Sequence, residues 1–335
     1  RLVGSEMCIR DRYSLAFKFS QCKGLHFFPD TLYLISILFE RWYFHMGCIN
    51  EITGHTRLTG LLGSPVAHSK SPLMHNEAFR LLRLDYVYLC FDVKEDSLKT
   101  AFEGLKKLNV AGFNCTMPDK TAICELLDDL SPAAKMIGAV NTVVNENGRY
   151  IGHNTDGIGY MQSVKDAGFD IKGETMTLLG AGGAASSIFV QAALDGVKKI
   201  NLFSIKDRFW EKAEKMVDMV NSNTDCDAKL IELGNDDILN EAISNSKILT
   251  NATSVGMAPN TDNCIVKDFS VFNENLIVSD VIYNPMETKL LKIAKEHGCP
   301  TFNGIYMLLY QGAEAFKLFT GKDMPVEEIK KKYFS

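Results

Sequence analysis

The sequence predicts an α/β fold with two domains, each built around a largely parallel sheet. The chain has 335 residues, 46% of them hydrophobic and 23% charged, which is enough for two buried cores. Short apolar runs alternate with amphipathic stretches along most of the chain, as they do in β-α-β units. A glycine-rich loop also follows one apolar run and opens a helical stretch, which is typical of a nucleotide-binding crossover.

The first half of the chain contains three predicted strands and two predicted helices. Runs of β-branched and apolar residues predict strands, and apolar residues at helical spacing predict helices. The strands are expected at residues 58–62, 86–93 and 110–114, and the helices at residues 72–82 and 95–108.

The second half repeats this alternation more regularly, and a domain boundary is expected near residues 154–159, where turn residues lead into a new helix. Strands are predicted at residues 175–179, 199–203, 228–233, 248–251 and 276–281. Helices are predicted between them at residues 184–195, 207–221 and 236–244.

Residues 1–45 lack this order. They mix Arg, Cys, Phe and Trp without a sustained period of two or of 3.6 residues, and the regular pattern starts only at Met46. We therefore expect residues 1–45 to be a non-native or disordered extension and Met46 to be the biological start. The alternative is an unusual N-terminal extension.

Composition favours small-molecule partners. Thirty-six basic residues against forty-one acidic ones give a net charge of −5, which does not favour nucleic acid or an anionic membrane. Nine scattered cysteines without a C-x-x-C pair argue against a disulfide framework or a zinc site, so we expect no metal and a cytoplasmic location. The longest apolar stretch near the start, residues 32–39, is too short to span a membrane.

The glycine-rich loop predicts a dinucleotide site. Residues 180–185 form a G-x-G-x-x-A pattern between a predicted strand and a predicted helix. Gly180 permits the tight turn, Gly182 permits the approach of a pyrophosphate, and Ala185 permits close helix packing. The helix N-terminus then supplies free N–H donors for the phosphates. The alternative is a small-residue helix start that only packs closely.

The segment after the second strand of this unit leaves the choice of cofactor open. Ser204, Lys206, Asp207 and Arg208 lie where the adenosine ribose of a dinucleotide is expected. Asp207 can accept hydrogen bonds from the ribose hydroxyls, which favours NAD, whereas Lys206 and Arg208 can bind a 2′-phosphate, which favours NADP. Asp207 can equally be a helix N-cap beside solvated neighbours.

Polar residues collect at the predicted strand ends of the first half. Ser71 can cap a helix that has Pro72 in its first position, or its hydroxyl can face a polyol substrate. Ser69, without a capping role, is the stronger candidate for a polyol-binding side chain. Ligands collect at strand ends in open α/β sheets, and this rule selects a second group of residues. That group is Asn114, Thr116, Lys120, Asn141 and Asp156. Lys120 can also be a surface cation, and Asp156 a helix N-cap.

Taken together, these motifs closely resemble the shikimate dehydrogenase family, from about Leu58 to the C-terminus. The shared segments are Ser69–Ser71, Asn114–Lys120, 138–142, 154–159, 180–184, 251–257, 280–285 and 310–314. The resemblance implies NAD(P)-dependent, reversible reduction of 3-dehydroshikimate to shikimate. It also implies an N-terminal α/β substrate-binding domain at residues 46–155, completed by C-terminal helices at 304–335. A Rossmann-like NAD(P)-binding domain at 156–303 follows, and the active site lies in the cleft between the two.

By the same resemblance, Lys120 and Asp156 form the catalytic pair. Alcohol oxidation needs a group that accepts the hydroxyl proton, and a lysine beside a carboxylate can orient that hydroxyl and move its proton. The implied substrate contacts are Ser69, Ser71, Asn114, Thr116, Asn141, Tyr283 and Gln311. The implied cofactor contacts are Gly180, Ala181, Gly182, Gly183, Ala184, Ser204, Lys206, Asp207, Arg208, Thr253, Val281 and Gly304.

One segment departs from the strictly NADP-dependent members of the family. Where these carry Asn-Arg-Thr, this chain has Ser204 followed by residues 205–209, and the segment looks more like the quinate/shikimate dehydrogenase branch, whose members also use NAD. The sequence thus leaves NAD, NADP or both as the cofactor, and quinate as a second substrate. A non-catalytic ligand sensor on the same scaffold is a further hypothesis, and the resemblance is compatible with a monomer or a homodimer.

Overall fold

A computed structural model describes residues 52–334, which form one compact unit. The predicted extension at residues 1–45 lies outside the described residues. Two six-stranded sheets organise the unit, and four apolar clusters cover the two faces of each sheet. Within residues 52–334, no helix is both long enough and apolar enough to cross a membrane.

The first sheet has the strand order β2-β1-β3-β5-β6-β4. Strands β1, β2 and β3 are parallel to each other, whereas β5 is antiparallel to both β3 and β6. The strands are β1 (Arg57–Gly63), β2 (Tyr86–Asp92), β3 (Gly112–Cys115), β4 (Asp129–Leu130), β5 (Thr142–Glu146) and β6 (Arg149–His153). The helices among them are α1 (Ser71–Leu81), α2 (Leu98–Lys107) and α3 (Pro132–Ile137), with 3-10 turns at Glu95–Ser97 and Ala122–Leu126.

The second sheet is wholly parallel and has the order β12-β11-β10-β7-β8-β9, which is the doubly wound order of a Rossmann fold. Its strands are β7 (Thr175–Leu179), β8 (Lys199–Ser204), β9 (Asp227–Glu232), β10 (Ile248–Asn251), β11 (Ile277–Asp280) and β12 (Thr301–Phe302). The helices are α4 (Asp156–Asp166), α5 (Gly183–Leu194), α6 (Trp210–Asn223), α7 (Asp236–Ser244) and α8 (Lys289–Glu296).

Two C-terminal helices, α9 (Ile305–Thr320) and α10 (Val326–Tyr333), return to the first sheet. Leu309, Phe316 and Ile329 are fully buried in the apolar cluster that also contains Phe79 and Tyr88. Helix α9 packs along α4, so these two helices connect the regions around the two sheets. The open space between the sheets is consequently bordered by α4 and α9.

The predicted α/β class and the Rossmann-like sheet are confirmed, and most differences are shifts of one or two residues at element ends. The largest shift is at the helix predicted for residues 207–221, which begins at Trp210. Here the Asp207 carboxylate accepts a hydrogen bond of 2.9 Å from the Phe209 backbone N–H and closes a turn before the helix. The helix expected at 95–108 begins with a 3-10 turn and becomes α-helical at Leu98.

A neutral histidine is buried in the apolar cluster beneath α9. His75 is 1% exposed, its ring stacks on Tyr88 at a centroid distance of 4.4 Å, and neither ring nitrogen has a hydrogen-bond partner. Burial disfavours the charged imidazolium and lowers the pKa of His75 from 6.5 to about 3. The folded protein therefore takes up the His75 proton only at a much lower pH than the unfolded chain does.

This difference predicts a loss of stability in mild acid. As pH falls below 6.5, the unfolded chain binds a proton at His75 that the folded chain excludes, so the free energy of unfolding drops by up to about 1.4 kcal/mol per pH unit. Urea unfolding gives the free energy of unfolding at each pH between 7 and 5. The slope of this free energy against pH should be smaller in His75→Gln, by an amount that approaches one proton at pH 5. His55→Gln, which replaces an exposed histidine, is the control and should keep the native slope. Equal slopes in all three proteins would contradict the assignment.

Candidate active site

A cleft of about 630 Å³ opens between the two sheets. The first sheet, the start of α5, the segment after β11, α4 and α9 contribute to its wall, so residues far apart in sequence meet there. All nine residues predicted as catalytic or substrate-binding line this cleft: Ser69, Ser71, Asn114, Thr116, Lys120, Asn141, Asp156, Tyr283 and Gln311. Four predicted cofactor residues line the same cleft: Gly183, Ala184, Val281 and Gly304.

An ion pair between Lys120 and Asp156 lies at the centre of the cleft wall. The Lys120 Nζ is 2.6 Å from the Asp156 Oδ2, and the two side chains are 28% and 16% exposed. Lys120 follows β3 of the first sheet, whereas Asp156 is the first residue of α4. Asp156 is therefore not the N-cap: Thr155 occupies that position, and the Asp156 carboxylate points to Lys120 instead.

Buried amides fix the orientation of the Asp156 carboxylate. The Asn141 Nδ2 donates to the Asp156 Oδ1 at 2.8 Å, and the Thr155 backbone N–H donates to the Asn141 Oδ1 at 2.8 Å. The Asn114 Nδ2 donates to the Thr142 Oγ1 at 2.9 Å, and the Tyr88 hydroxyl donates to the Asn114 Oδ1 at 2.8 Å. Because buried polar groups are costly unless paired, this satisfied network holds one geometry.

The serine segment before α1 differs from the expectation. Ser71 is not a helix cap, because α1 begins at Ser71 and Lys70 precedes it as the N-cap without a side-chain hydrogen bond. Ser69, expected to have no capping role, accepts a hydrogen bond of 3.2 Å from the Ser71 backbone N–H. Both hydroxyl-bearing residues still line the cleft, since the first turn of α1 points at it.

The glycine-rich loop lies where the order of the second sheet reverses. Gly180 follows β7 with a φ of +107°, and a Cβ there would lie 2.9 Å from the Thr253 Cγ2, beyond the end of neighbouring β10. In open α/β sheets, this crevice between diverging strands is the ligand site. A Cβ at Gly182 or Gly183 would meet nothing within 4 Å, so space is open before the N-terminus of α5. The residues present therefore fit a pyrophosphate.

A second cavity of about 750 Å³ continues from this loop along the carboxyl ends of β8 and β9. The predicted cofactor residues Gly180, Ala181, Gly182, Ser204, Asp207 and Thr253 line it. Lys206 and Arg208 are not among its lining residues. The Lys206 Nζ lies 5.7 Å from the centre of the Trp210 ring, and the Arg208 guanidinium lies 4.8 Å from that of Phe209. Asp207 thus lines the cavity, while the two predicted phosphate ligands do not.

Two backbone segments come into close contact at Gly304. It precedes α9, and a Cβ on this residue would overlap the carbonyl oxygen of Val281 after β11. Only glycine lets the two segments come so close. Val281 and Gly304 both line the cleft, as do Gly183 and Ala184 at the start of α5.

Sequence reasoning missed several lining residues. In the cleft these include His68, Met307 and Leu308, and in the second cavity Asn235, Asp236 and Lys267. The rule that ligands collect at strand ends could have identified Asn235 and Asp236, since they follow β9. Lys267 carries no local signal; it reaches the cavity wall through an ion pair with Asp236, at 3.0 Å.

Comparison with known proteins identifies the family. The shikimate dehydrogenase (NADP(+)) of Listeria monocytogenes serotype 4b is 52% identical over 284 residues, which cover 85% of this chain and 98% of the relative. The chain belongs to the shikimate dehydrogenase family. Two family models agree: the shikimate dehydrogenase substrate binding domain matches residues 61–143, and the shikimate 5′-dehydrogenase C-terminal domain matches residues 304–332.

Other members of the shikimate dehydrogenase family differ in substrate and cofactor. A quinate/shikimate dehydrogenase of Escherichia coli O139:H28 is 46% identical over 280 residues, covering 84% of this chain and 97% of the relative. A crystal structure of the Listeria monocytogenes enzyme in complex with shikimate and NAD has a TM-score of 0.82 at 52% identity. That match covers 84% of this chain and 97% of the other.

The contact at Gly304 predicts a strong effect of adding one methyl group. Gly304→Ala should lower the free energy of unfolding by about 2 kcal/mol or more, because the Val281 backbone cannot move aside without disturbing β11. Gly104→Ala is the matched control: Gly104 lies in α2 with nothing within 4 Å of the added carbon, and the change should gain up to about 1 kcal/mol. Urea denaturation measures both. A loss at Gly104 as large as that at Gly304 would contradict the prediction.

Proposed function

We propose that this chain catalyses the reversible NAD(P)-dependent reduction of 3-dehydroshikimate to shikimate. The single observation that carries the proposal is the Lys120–Asp156 pair in the cleft. The same cleft is lined by the start of α5, directly after the glycine-rich loop. Sequence identity of 52% to a shikimate dehydrogenase supports it. The alternative is a dual quinate/shikimate dehydrogenase, supported by the relative of that name at 46% identity.

We assign the transfer of the proton to Lys120. A bound nicotinamide supplies or accepts the hydride, and the protein must handle the accompanying proton. The Lys120 ammonium can donate a hydrogen bond to the substrate carbonyl and release a proton to its oxygen; in the oxidative direction the neutral amine takes the hydroxyl proton. Asp156, held by Asn141, orients the Lys120 Nζ and stabilises its charged form.

Substrate recognition is assigned to the polar residues around this pair. Shikimate carries three ring hydroxyls and a carboxylate, so its site needs several hydrogen-bonding side chains. Asn141 and Asp156 approach from the strand ends of the first sheet, and Ser69 and Ser71 from the start of α1. We assign these residues, with Asn114, Thr116, Tyr283 and Gln311, to substrate binding. Tyr283 is 44% exposed at the mouth, where it can cover a bound ring.

We propose that one cofactor molecule extends through both cavities. Gly183, Ala184, Val281 and Gly304 would surround its nicotinamide half, and the second cavity would hold its adenosine half. Asp207 faces that cavity, and the carboxylate would accept hydrogen bonds from the ribose hydroxyls and repel a 2′-phosphate. Relatives with NADP(+) in their name and a structure with bound NAD support use of either cofactor. We propose dual use, with NAD favoured by Asp207.

The domain assignment follows the same division. We propose that residues 46–155, with the C-terminal helices at 304–335, bind the substrate, and that residues 156–303 bind the cofactor. A cytoplasmic location is also proposed, because Cys90, Cys115, Cys124, Cys226, Cys264 and Cys299 are all free thiols. As to assembly, we infer a monomer or a homodimer.

Replacement of Lys120 tests the mechanism. Lys120→Met should lower kcat for shikimate oxidation by about 100-fold or more, because the methionine keeps the length of the side chain but cannot accept or donate the proton. Lys135→Met is the matched control: Lys135 forms a surface ion pair with Asp129 at 2.9 Å, neither residue lines the cleft, and the variant should keep full activity. Reduced-nicotinamide absorbance measures both. A Lys120→Met enzyme with native kcat would rule out this role.

Substrate and cofactor can be assigned in one set of assays. Shikimate and quinate are each oxidised with NAD and with NADP, and kcat/KM is compared across the four combinations. We expect turnover of shikimate with both cofactors. Comparable turnover of quinate would support the dual alternative, whereas a folded chain that binds the nucleotide but turns over neither substrate would favour a ligand sensor.

Replacement of Asp207 should change the preference between NAD and NADP. Asp207→Asn removes the charge but keeps an acceptor for the Phe209 backbone N–H, so the turn before α6 is retained. The ratio of kcat/KM for NADP to that for NAD should rise by about tenfold or more, since repulsion of the 2′-phosphate is lost. Asp218→Asn, on α6, is the control. An unchanged ratio would show that Asp207 does not select the cofactor.

A further inference from the structure

The two helices that border the cleft each contribute a side chain to it. Asp156 is the first residue of α4, and Gln311 lies in the middle of α9. The separation of these two side chains depends on how α9 crosses α4. A small change in the crossing angle would move Gln311 away from a substrate held at Lys120 and Asp156.

One point of contact fixes the distance between the helices. A Cβ at Gly159 would lie 2.6 Å from the backbone nitrogen of Gln311 and 2.7 Å from the carbonyl oxygen of Met307, so the two backbones touch there. Gly159 is one turn after Asp156 in α4. This close approach lies within an interface along which the two helices pack, and it sets their separation at Gly159.

A second contact lies at the last residue of α4. The Tyr310 hydroxyl, from α9, donates to the Asp166 Oδ1 at 2.6 Å, and the Lys330 Nζ, from α10, donates to the Oδ2 at 2.7 Å. Asp166 is seven residues beyond Gly159, so the two contacts are roughly 10 Å apart along α4. Tyr310 adjoins Gln311 on α9, so this second contact restrains the same turn of α9 from the far end of α4 and adds to the packing between the helices.

The side chains that meet at Asp166 are largely buried, which strengthens the hydrogen bonds between them. The Asp166 and Lys330 side chains are 19% and 23% exposed, and Tyr310 is 9% exposed. Burial alone would raise the pKa of Asp166, but the hydrogen bonds from Lys330 and Tyr310 outweigh it and lower that pKa, so the carboxylate is charged at neutral pH. The Lys330 Nζ also lies 4.0 Å from the centre of the Tyr306 ring, which ties α10 to α9.

We propose that Asp166, Tyr310 and Lys330 are positioning residues that hold the Gln311 turn of α9 in the place required for Gln311 to meet the substrate. None of the three lines the cleft, so each acts through the helix that carries it. The proposal rests on the proposed function only in naming shikimate as the molecule that Gln311 contacts. The helix geometry is independent of which polyol binds.

Conservative variants test this role. Tyr310→Phe removes one hydroxyl, and Lys330→Met removes the charge at nearly constant length. Each should raise the KM and the dissociation constant for shikimate by about fivefold or more, since small displacements of a binding group are costly. The KM for the nicotinamide cofactor should stay within about twofold, because the glycine-rich loop and Asp207 lie outside α9 and Gly304, at its start, is held by its own backbone contact with Val281. Lys330→Arg, which can still donate to Asp166, should restore the native values.

The chain offers a matched control. Lys317, also on α9, forms an ion pair of 2.9 Å with Asp323, and these side chains are 55% and 84% exposed. Lys317→Met should leave both KM values unchanged. Thermal unfolding of every variant separates positioning from stability: a lowered Tm with unchanged shikimate affinity and KM would overturn the proposal. Equal increases in the substrate and cofactor KM values would overturn it as well.

Calorimetric binding of shikimate distinguishes this proposal from the proposed function. A chain that binds shikimate but does not oxidise it contradicts the proposed activity, and the positioning role is then decided by the dissociation constants of the variants. Native turnover with unchanged affinity and KM in Tyr310→Phe and Lys330→Met contradicts the positioning role alone. Absence of both binding and turnover in the native chain rejects both proposals.

Discussion

The ion pair between Lys120 and Asp156 is the interaction on which the site depends. Its two members come from different parts of the fold, a loop after β3 and the first residue of α4, and they meet at 2.6 Å. A partly buried ammonium or carboxylate without a partner would be costly, so the pair constrains the loop and the helix to each other. Asn141 and Thr155 extend this constraint into the first sheet by fixing the Asp156 carboxylate.

The topology places this pair between two ligand crevices. In the first sheet β2 and β3 lie on opposite sides of β1, and in the second sheet β8 and β10 lie on opposite sides of β7. Each reversal of strand order leaves an opening at the carboxyl ends of the strands. Polar side chains occupy the first opening and small residues the second. A polyol and a dinucleotide therefore meet in one cleft without either sheet being interrupted.

Most of the fold could be predicted because its signals are local. The strand Thr175–Leu179 and the loop beginning at Gly180 follow from the hydrophobic pattern and glycine positions, and the structure has them as predicted. The capping role of Ser71 was wrong, because the choice between a cap and the first helical residue depends on a shift of one position. Contacts between distant segments, such as Lys330 with Asp166, leave no local pattern and appear only in three dimensions.

Recognition of the cofactor is separated from the reacting groups. Asp207 lines a cavity that contains none of the polar residues around Lys120, and it belongs to a turn closed by its own hydrogen bond to Phe209. Changes in residues 204–209 would therefore alter the charge in the cavity proposed for the adenosine half of the cofactor without moving Asn141, Lys120 or Asp156. Because distant sites without shared partners act nearly independently, one catalytic arrangement can operate with either nicotinamide cofactor.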